Sequence, residues 1–221
     1  MNIKITLALL AGASITNLCA QQVTDYRNVI SIHAGPSHYW GTMPGISSPS
    51  AAYQNRLRNG MAWDLSYYRL LGRGNFRFVM GVRYQGNHYA HSDDTHADRL
   101  TLHYITPLLP QMGFCKSGTR YAFFLTAGIG AQTYSDASTV YGKSRDVKTG
   151  GRIALNIGAN AEYCFTPRWG VSARMDLLNS GSYSYRVTYH GQRWLVDKSS
   201  VADFNSSYNQ ISLKIGINYH F

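Results

Sequence analysis

The last twelve residues, Gln210 to Phe221, alternate without a break. Ile211, Leu213, Ile215, Ile217, Tyr219 and Phe221 share one parity; Gln210, Ser212, Lys214, Gly216, Asn218 and His220 share the other. Successive side chains of a strand point to opposite faces, so this segment predicts a strand with one apolar and one polar face. Seven more segments repeat the pattern. Near Asn28 to Pro36, Ile30, Ile32 and Ala34 oppose Ser31, His33 and Gly35. Near Gly60 to Leu70, Met61, Trp63, Leu65 and Tyr67 oppose Asp64, Ser66 and Tyr68. Phe76, Phe78, Met80, Val82 and Tyr84 oppose Arg77, Gly81, Arg83 and Gln85. The fourth begins with Leu100, Leu102 and Tyr104 against Thr101 and His103, then meets Pro107 and Pro110. Proline cannot donate to a ladder, so a bulge or break is expected there, and parity beyond it is open. The fifth sets Tyr121, Phe123, Leu125, Ala127 and Ile129 against Thr126, Gly128, Gly130 and Gln132. The sixth sets Ile153 to Phe165 at odd positions against Asn156, Gly158, Asn160 and Glu162. The seventh sets Trp169, Val171, Ala173, Met175 and Leu177 against Gly170, Ser172, Arg174 and Asp176.

The connections alternate in length. Gly72 to Asn75, Lys116 to Thr119 and Thr166 to Arg168 read as tight turns; Ser37 to Asn59, Gly86 to Asp98, Ser135 to Gly150 and Asn179 to Ser207 read as longer polar loops. Eight strands so connected place both termini on the short-turn side, which in an outer-membrane barrel is the periplasm. The expected fold is all-β: an eight-stranded antiparallel up-and-down transmembrane β-barrel.

Alternation alone does not say which face is inside, and a soluble barrel has the same period with the faces exchanged. The polar face decides: it is Gly, Ser, Asn and Thr with few charges, where a water-facing wall would be rich in Lys and Glu. Gly81, Gly128, Gly130, Gly158, Gly170 and Gly216 all share it. An eight-stranded barrel is only just wide enough inside for side chains, so small residues belong there. Tyr121, Tyr163, Trp169 and Tyr219 sit near the ends of the apolar face, as interfacial girdles do. In hydrocarbon every backbone donor needs a partner, and a closed sheet has no edge, so the first strand must pair with the last.

Composition adds location. Lys4, the apolar run Ile5 to Ile15 and the finish Asn17-Leu18-Cys19-Ala20 read as a secretory signal peptide, residues 1–20, cleaved before Gln21. Leu18 argues against lipid attachment at Cys19. No apolar run reaches the roughly 18 residues of a spanning helix, so strands must carry the chain through a membrane. The remainder, residues 21–221, is one β domain rich in aromatics (17 Tyr, 8 Phe, 4 Trp) and poor in charge, at 14%. Cys115 and Cys164 are left, and sequence leaves open whether they pair. A net charge of +10 in an exported protein reads first as a solvated basic surface; as a partner, anionic lipid phosphates fit it better than nucleic acid.

The assembled pattern resembles the small outer-membrane β-barrel families of Gram-negative bacteria, of the OmpX, OmpA-domain and PorT-like kind. The signal peptide, the closing Tyr219-His220-Phe221, and Leu102-His103-Tyr104-Ile105-Thr106-Pro107-Leu108-Leu109 followed by Ala127-Gly128-Ile129-Gly130 carry it. The resemblance implies that Tyr219 and Phe221 serve as a signal to the barrel-assembly machinery. It implies no activity, because such barrels host many roles.

The predicted inward face holds Asp64, Arg77, Arg83, Glu162, Arg174, Asp176 and Lys214. Buried charges must pair, so a salt-bridged plug filling the lumen is expected, not a general pore. Two clusters are candidate outer-loop contacts: His88, His91, Asp93, Asp94 and His96, and Lys143, Arg145 and Lys148, beside Arg152. The first carries donors for a divalent cation or a base with its orienter, but its spacing matches no ligand pattern, and no metal or cofactor is expected. An acyl-transfer or hydrolase site needs a Ser or water activated by His; His88, His91, Ser92 and Asp94, or Ser184 with His190, are the available groups, and none forms a recognisable arrangement. Arg73, Lys116, Arg120 and Arg168 lie at the tight turns and their borders; placed in the periplasm, they are expected to sit beside phospholipid headgroups. The expectation is a non-enzymatic outer-membrane protein whose outer loops bind a protein, a surface glycan or lipopolysaccharide. The alternatives are a lipid A-modifying enzyme and a component of an envelope secretion machine.

Overall fold

In a computed structural model, residues 26–43, 45–106, 111–117, 120–181, 184–197 and 207–221 are described. The signal peptide and the two prolines Pro107 and Pro110 fall outside these ranges. Alternating side chains build β1 (Asn28–Trp40), β2 (Asn59–Leu71), β3 (Phe76–Ser92), β4 (His96–Ile105), β5 (Gln111–Ser117), β6 (Tyr121–Val140), β7 (Lys143–Cys164), β8 (Trp169–Ser180), β9 (Tyr185–Tyr189), β10 (Gln192–Val196) and β11 (Asn209–His220). The ring runs β1, β2, β3, the β4–β5 pair, β6, β7, β8 and β11, every neighbour antiparallel. It closes as expected: Ile30 lies opposite Tyr219 and Ala34 opposite Ile215. β4 and β5 share one place, both between β3 and β6.

The face assignment holds along the belt. Ile32, Leu65, Val82, Leu125, Ile153, Leu213 and Ile215 are exposed on the outer wall, whereas Ser31, Ser66, Arg83, Thr126, Asn156, Arg174 and Lys214 are buried inside. The fourth segment departs from the expectation. Leu100, Leu102 and Tyr104 point inward and are fully buried, while Ile105 faces out. Between the β4 and β5 registers this strand contains three more residues than β3 or β6 opposite it. An odd excess reverses parity, which is why Met112 and Phe114 face outward beyond it.

Two connections expected as loops are strand instead. Gly86 to Asp98 is the upper part of β3, a short turn and the start of β4. Ser135 to Gly150 lies almost wholly in β6 and β7, joined by Tyr141 and Gly142 at φ 49° and 74°. Two central residues with positive φ suit the twist of a two-residue hairpin. His190 and Gly191, at φ 52° and 77°, join β9 to β10 in the same way, so a hairpin occupies part of the Asn179 to Ser207 connection. β9 pairs with the upper part of β7. The Ser37 to Asn59 stretch continues β1 to Trp40 and then forms a short helix, α1 (Ala51–Leu57), whose first turn Ser50 caps by accepting from the Tyr53 amide. The tight turns at Gly72 to Asn75 and Thr166 to Arg168 fall where expected; the one at Lys116 to Thr119 lies partly outside the described residues.

Candidate functional site

At membrane depth the lumen is filled by a charged cluster drawn from four strands. Arg83 on β3 donates from Nη2 to Asp64 on β2 (2.9 Å) and to Asp176 on β8 (2.7 Å), and from Nη1 to Asn156 on β7 (2.8 Å) and to Asp176. Arg174 donates from Nε to Asp176 at 3.0 Å. Lys214 on β11 is bonded to Asp64 and lies 2.8 Å from Asp176. A Cβ at Gly158 would meet the head groups of Asp176 and Arg174, so glycine makes their room. Three cations face two carboxylates, all without solvent. Charges so arranged hold the wall in register and plug it.

The predicted interior residues therefore divide. Asp64, Arg83, Arg174, Asp176 and Lys214 meet; Arg77 lies elsewhere, donating to the Tyr26 carbonyl (2.7 Å), and Glu162 pairs with His220 at 2.7 Å. Sequence reasoning passed over His33. Its Nδ1 lies 3.1 Å from Asp64 Oδ1 and its Nε2 lies 2.8 Å from Ser172 Oγ, a Ser–His–Asp chain. The order matches a hydrolase triad, but Asp64 is shared with two cations, the Ser172 hydroxyl also donates to Asn218 Oδ1 (3.2 Å), and His33 and Asp64 have no solvent exposure.

Beyond the belt the lumen changes character. Tyr39, Tyr53, Leu57, Tyr89, Leu100, Leu102, Tyr134, Val147 and Tyr208 form an apolar core that caps the end far from the termini. Helix α1 contributes Tyr53 and Leu57. The connection before α1 is tied down by Asp98, which accepts from the Ser47 amide at 3.1 Å and from its hydroxyl. Asp136 lies beside Asp98; burial first, then the Asp98 charge and hydrogen bond, push its carboxyl up to about 8, against the pull of Arg145 at 3.8 Å.

The two predicted outer clusters are distributed over this capped end. His88 and Asp94 are exposed, His91 packs on the Tyr53 ring at 4.7 Å, and His96 lies between Tyr53 and Tyr141. Asp93 accepts from the amides of Thr95 and His96 and shapes the turn; those bonds hold its carboxyl below the usual range. The three imidazoles do not converge as ligands. Lys143 is exposed at the β6–β7 tip, Arg145 reaches Asp136 and Ser138, and Lys148 lies 3.8 Å from Asp146. A polar hollow of about 600 Å³ on the outside of the tip is lined by His91, Ser92, Asp98, Arg99, Ser138 and Ser144, among others. At the opposite end the outer wall bears an aromatic girdle, with Tyr121 against Tyr163 (5.4 Å) and Trp169 against Tyr219 (4.7 Å).

No family model matches the sequence, and no curated protein is similar to it. Solved structures do share the architecture. A major outer membrane protein from Thermus thermophilus aligns at TM-score 0.55 with 12% identity, over 88% of this chain and 99% of that one. Neisserial surface protein A aligns at TM-score 0.50 with 13% identity, over 87% and 97%. The chain has the fold of the small outer-membrane β-barrels.

Proposed function

We propose that this protein is an integral outer-membrane barrel without enzymatic activity, whose far end binds a surface glycan, lipopolysaccharide or another protein. The observation that carries the reading is that sealed lumen beneath a built polar tip. With the passage blocked by ion pairs at depth and by tyrosines above, the exposed surface beyond the belt is what remains to act. That surface holds the 600 Å³ hollow, the basic group Lys143, Arg145 and Lys148, and the edge hairpin with Trp194 and Leu195 exposed. Short turns at the end bearing the termini support a periplasmic location for both. The signal-peptide reading supports export, and the fit of Tyr219 and Phe221 to the assembly signal supports insertion by the barrel-assembly machinery. OmpX-like or PorT-like kinship stays at the level of the resemblance.

The test is titration of the reconstituted protein with lipopolysaccharide and with sulfated or phosphorylated glycans. Binding is expected to fall at least tenfold when Lys143, Arg145 and Lys148 are all changed to Gln; binding that is absent, or unmoved by the change, overturns the reading that this basic group recognises lipopolysaccharide or an anionic glycan. Mass spectrometry of lipid A with and without the gene should give one acyl pattern, and two different patterns would favour an enzyme.

A further inference from the structure

At the end of the lumen near the termini, Glu162 and Cys164 on β7 and His220 on β11 converge across β8. One donor atom from each lies within 4.8 Å of the other two, and among the described residues no other trio of His, Cys, Asp or Glu does so. His220 Nε2 stands 2.7 Å from Glu162 Oε1 and 4.0 Å from Cys164 Sγ. All three residues are buried, at 3% exposure or less for Glu162 and His220 and 4% for Cys164. Two further atoms mark these side chains as a polar site that the chain's own hydrogen bonds leave incomplete. Glu162 Oε2 and His220 Nδ1 are buried with no hydrogen-bond partner among the described residues, an expensive state for a carboxylate and an imidazole. A Cβ at position 170 would overlap the Glu162 carboxylate, so Gly170 makes the space this group occupies.

We propose that Glu162, Cys164 and His220 bind one divalent metal ion of the zinc class. A thiolate, an imidazole nitrogen and a carboxylate oxygen are the donors that borderline-soft cations take, and the mixture disfavours calcium and magnesium. Tetrahedral bonds to such donors require ligand–ligand separations of roughly 3.3–3.8 Å, within the spread of this trio. The ion displaces the proton between Nε2 and Oε1, which leaves to solvent together with the thiol proton, while the imidazole keeps its proton on Nδ1. With three protein ligands, the fourth position falls to water. The strands joined are β7 and the closing strand β11, so the ion would clasp the wall where the chain ends. This site is independent of the tip and of whatever the tip binds.

The test uses Co²⁺ as the probe on the full chain, purified without an affinity tag, refolded in detergent and kept reduced. One equivalent should bind with a thiolate-to-metal charge-transfer band in the near ultraviolet, and Zn²⁺ should bleach it. Cys164→Ser should remove the band, Cys115→Ser should leave it, and the near-isosteric Glu162→Gln should weaken Co²⁺ binding at least tenfold. Folding of each variant is checked by its shift on an unboiled denaturing gel. A folded protein that binds no Co²⁺, binds it without the charge-transfer band, or keeps the band in Cys164→Ser overturns the proposal. Loss of the band in Cys115→Ser overturns it too, because the thiolate would then be a different one.

Discussion

The barrel wall is apolar outside and charged inside at membrane depth, yet polar outside and apolar inside beyond it. β6 shows both halves on one strand. Phe123, Leu125 and Ile129 face lipid over buried Thr126 and Gly128, whereas higher up Thr133 and Thr139 face outward over buried Tyr134. β6 keeps one parity throughout, although its register with β7 shifts between Gln132 and Tyr134, and what changes along it is the solvent. Lipid tails reward an apolar exterior and leave charges to pair within, and water restores the ordinary hydrophobic arrangement.

The contrast is sharpest in the plug, where removing one partner leaves a buried charge stranded. Asp176→Leu leaves Asp64 alone against Arg83, Arg174 and Lys214, and is expected to cost roughly 3–5 kcal/mol in urea unfolding of the reconstituted barrel. Lys214→Met leaves two carboxylates against two guanidinium groups and should cost clearly less. Equal losses would show that charge balance does not organise the centre.

A second pair of variants tests the change of solvent directly. Leu125→Arg puts a charge into the lipid-facing belt and should destabilise by about 2–4 kcal/mol. Thr139→Arg, on the same strand and the same face, should stay within about 0.5 kcal/mol. If the two are alike, the belt does not end where the outward side chains become polar.

The cap should respond to pH where an isolated carboxylate would not. Asp136 is raised from 3.8 to about 8, so the folded cap holds a proton that the unfolded chain gives up. Its stability is therefore greatest below about pH 4, falls as pH rises toward 8, and levels off above, by an amount on the order of a few kcal/mol at most. Amide exchange of cap residues followed across that range should show the slope, and Asp136→Asn should flatten it. A cap that strengthens with rising pH would contradict the shared burial of Asp98 and Asp136. The smallest effect belongs to Asp93→Ala, which frees the Thr95 and His96 amides: exchange at the β3–β4 tip should quicken with the global unfolding midpoint unmoved.

Much of this was legible along the chain, because period-two alternation is a local property and a lipid belt enforces it on every spanning strand. The eight ring positions, the closure of β1 on β11 and the tight turns at Gly72 to Asn75 and Thr166 to Arg168 follow from it. The upper hairpins did not show. Their turns are Tyr141-Gly142 and His190-Gly191, without the Asn-Gly or Asp-Gly signature, and polar residues on both faces looked like loop. Of the interior residues, charge made Asp64, Arg83 and Lys214 visible, while His33 and His220 read as ordinary members of a polar face.

By itself, then, the sequence determined the period, the number of places in the ring and, for seven of the eight segments, which parity meets lipid. Only the tertiary structure decided which charges touch, since Asp64 and Asp176 lie 112 positions apart and meet only through ring closure. It also decided that Leu100, Leu102 and Tyr104 look inward. Parity gives two faces, but the three-residue excess between the β4 and β5 registers and the height above the belt choose between them, and both are properties of the closed wall.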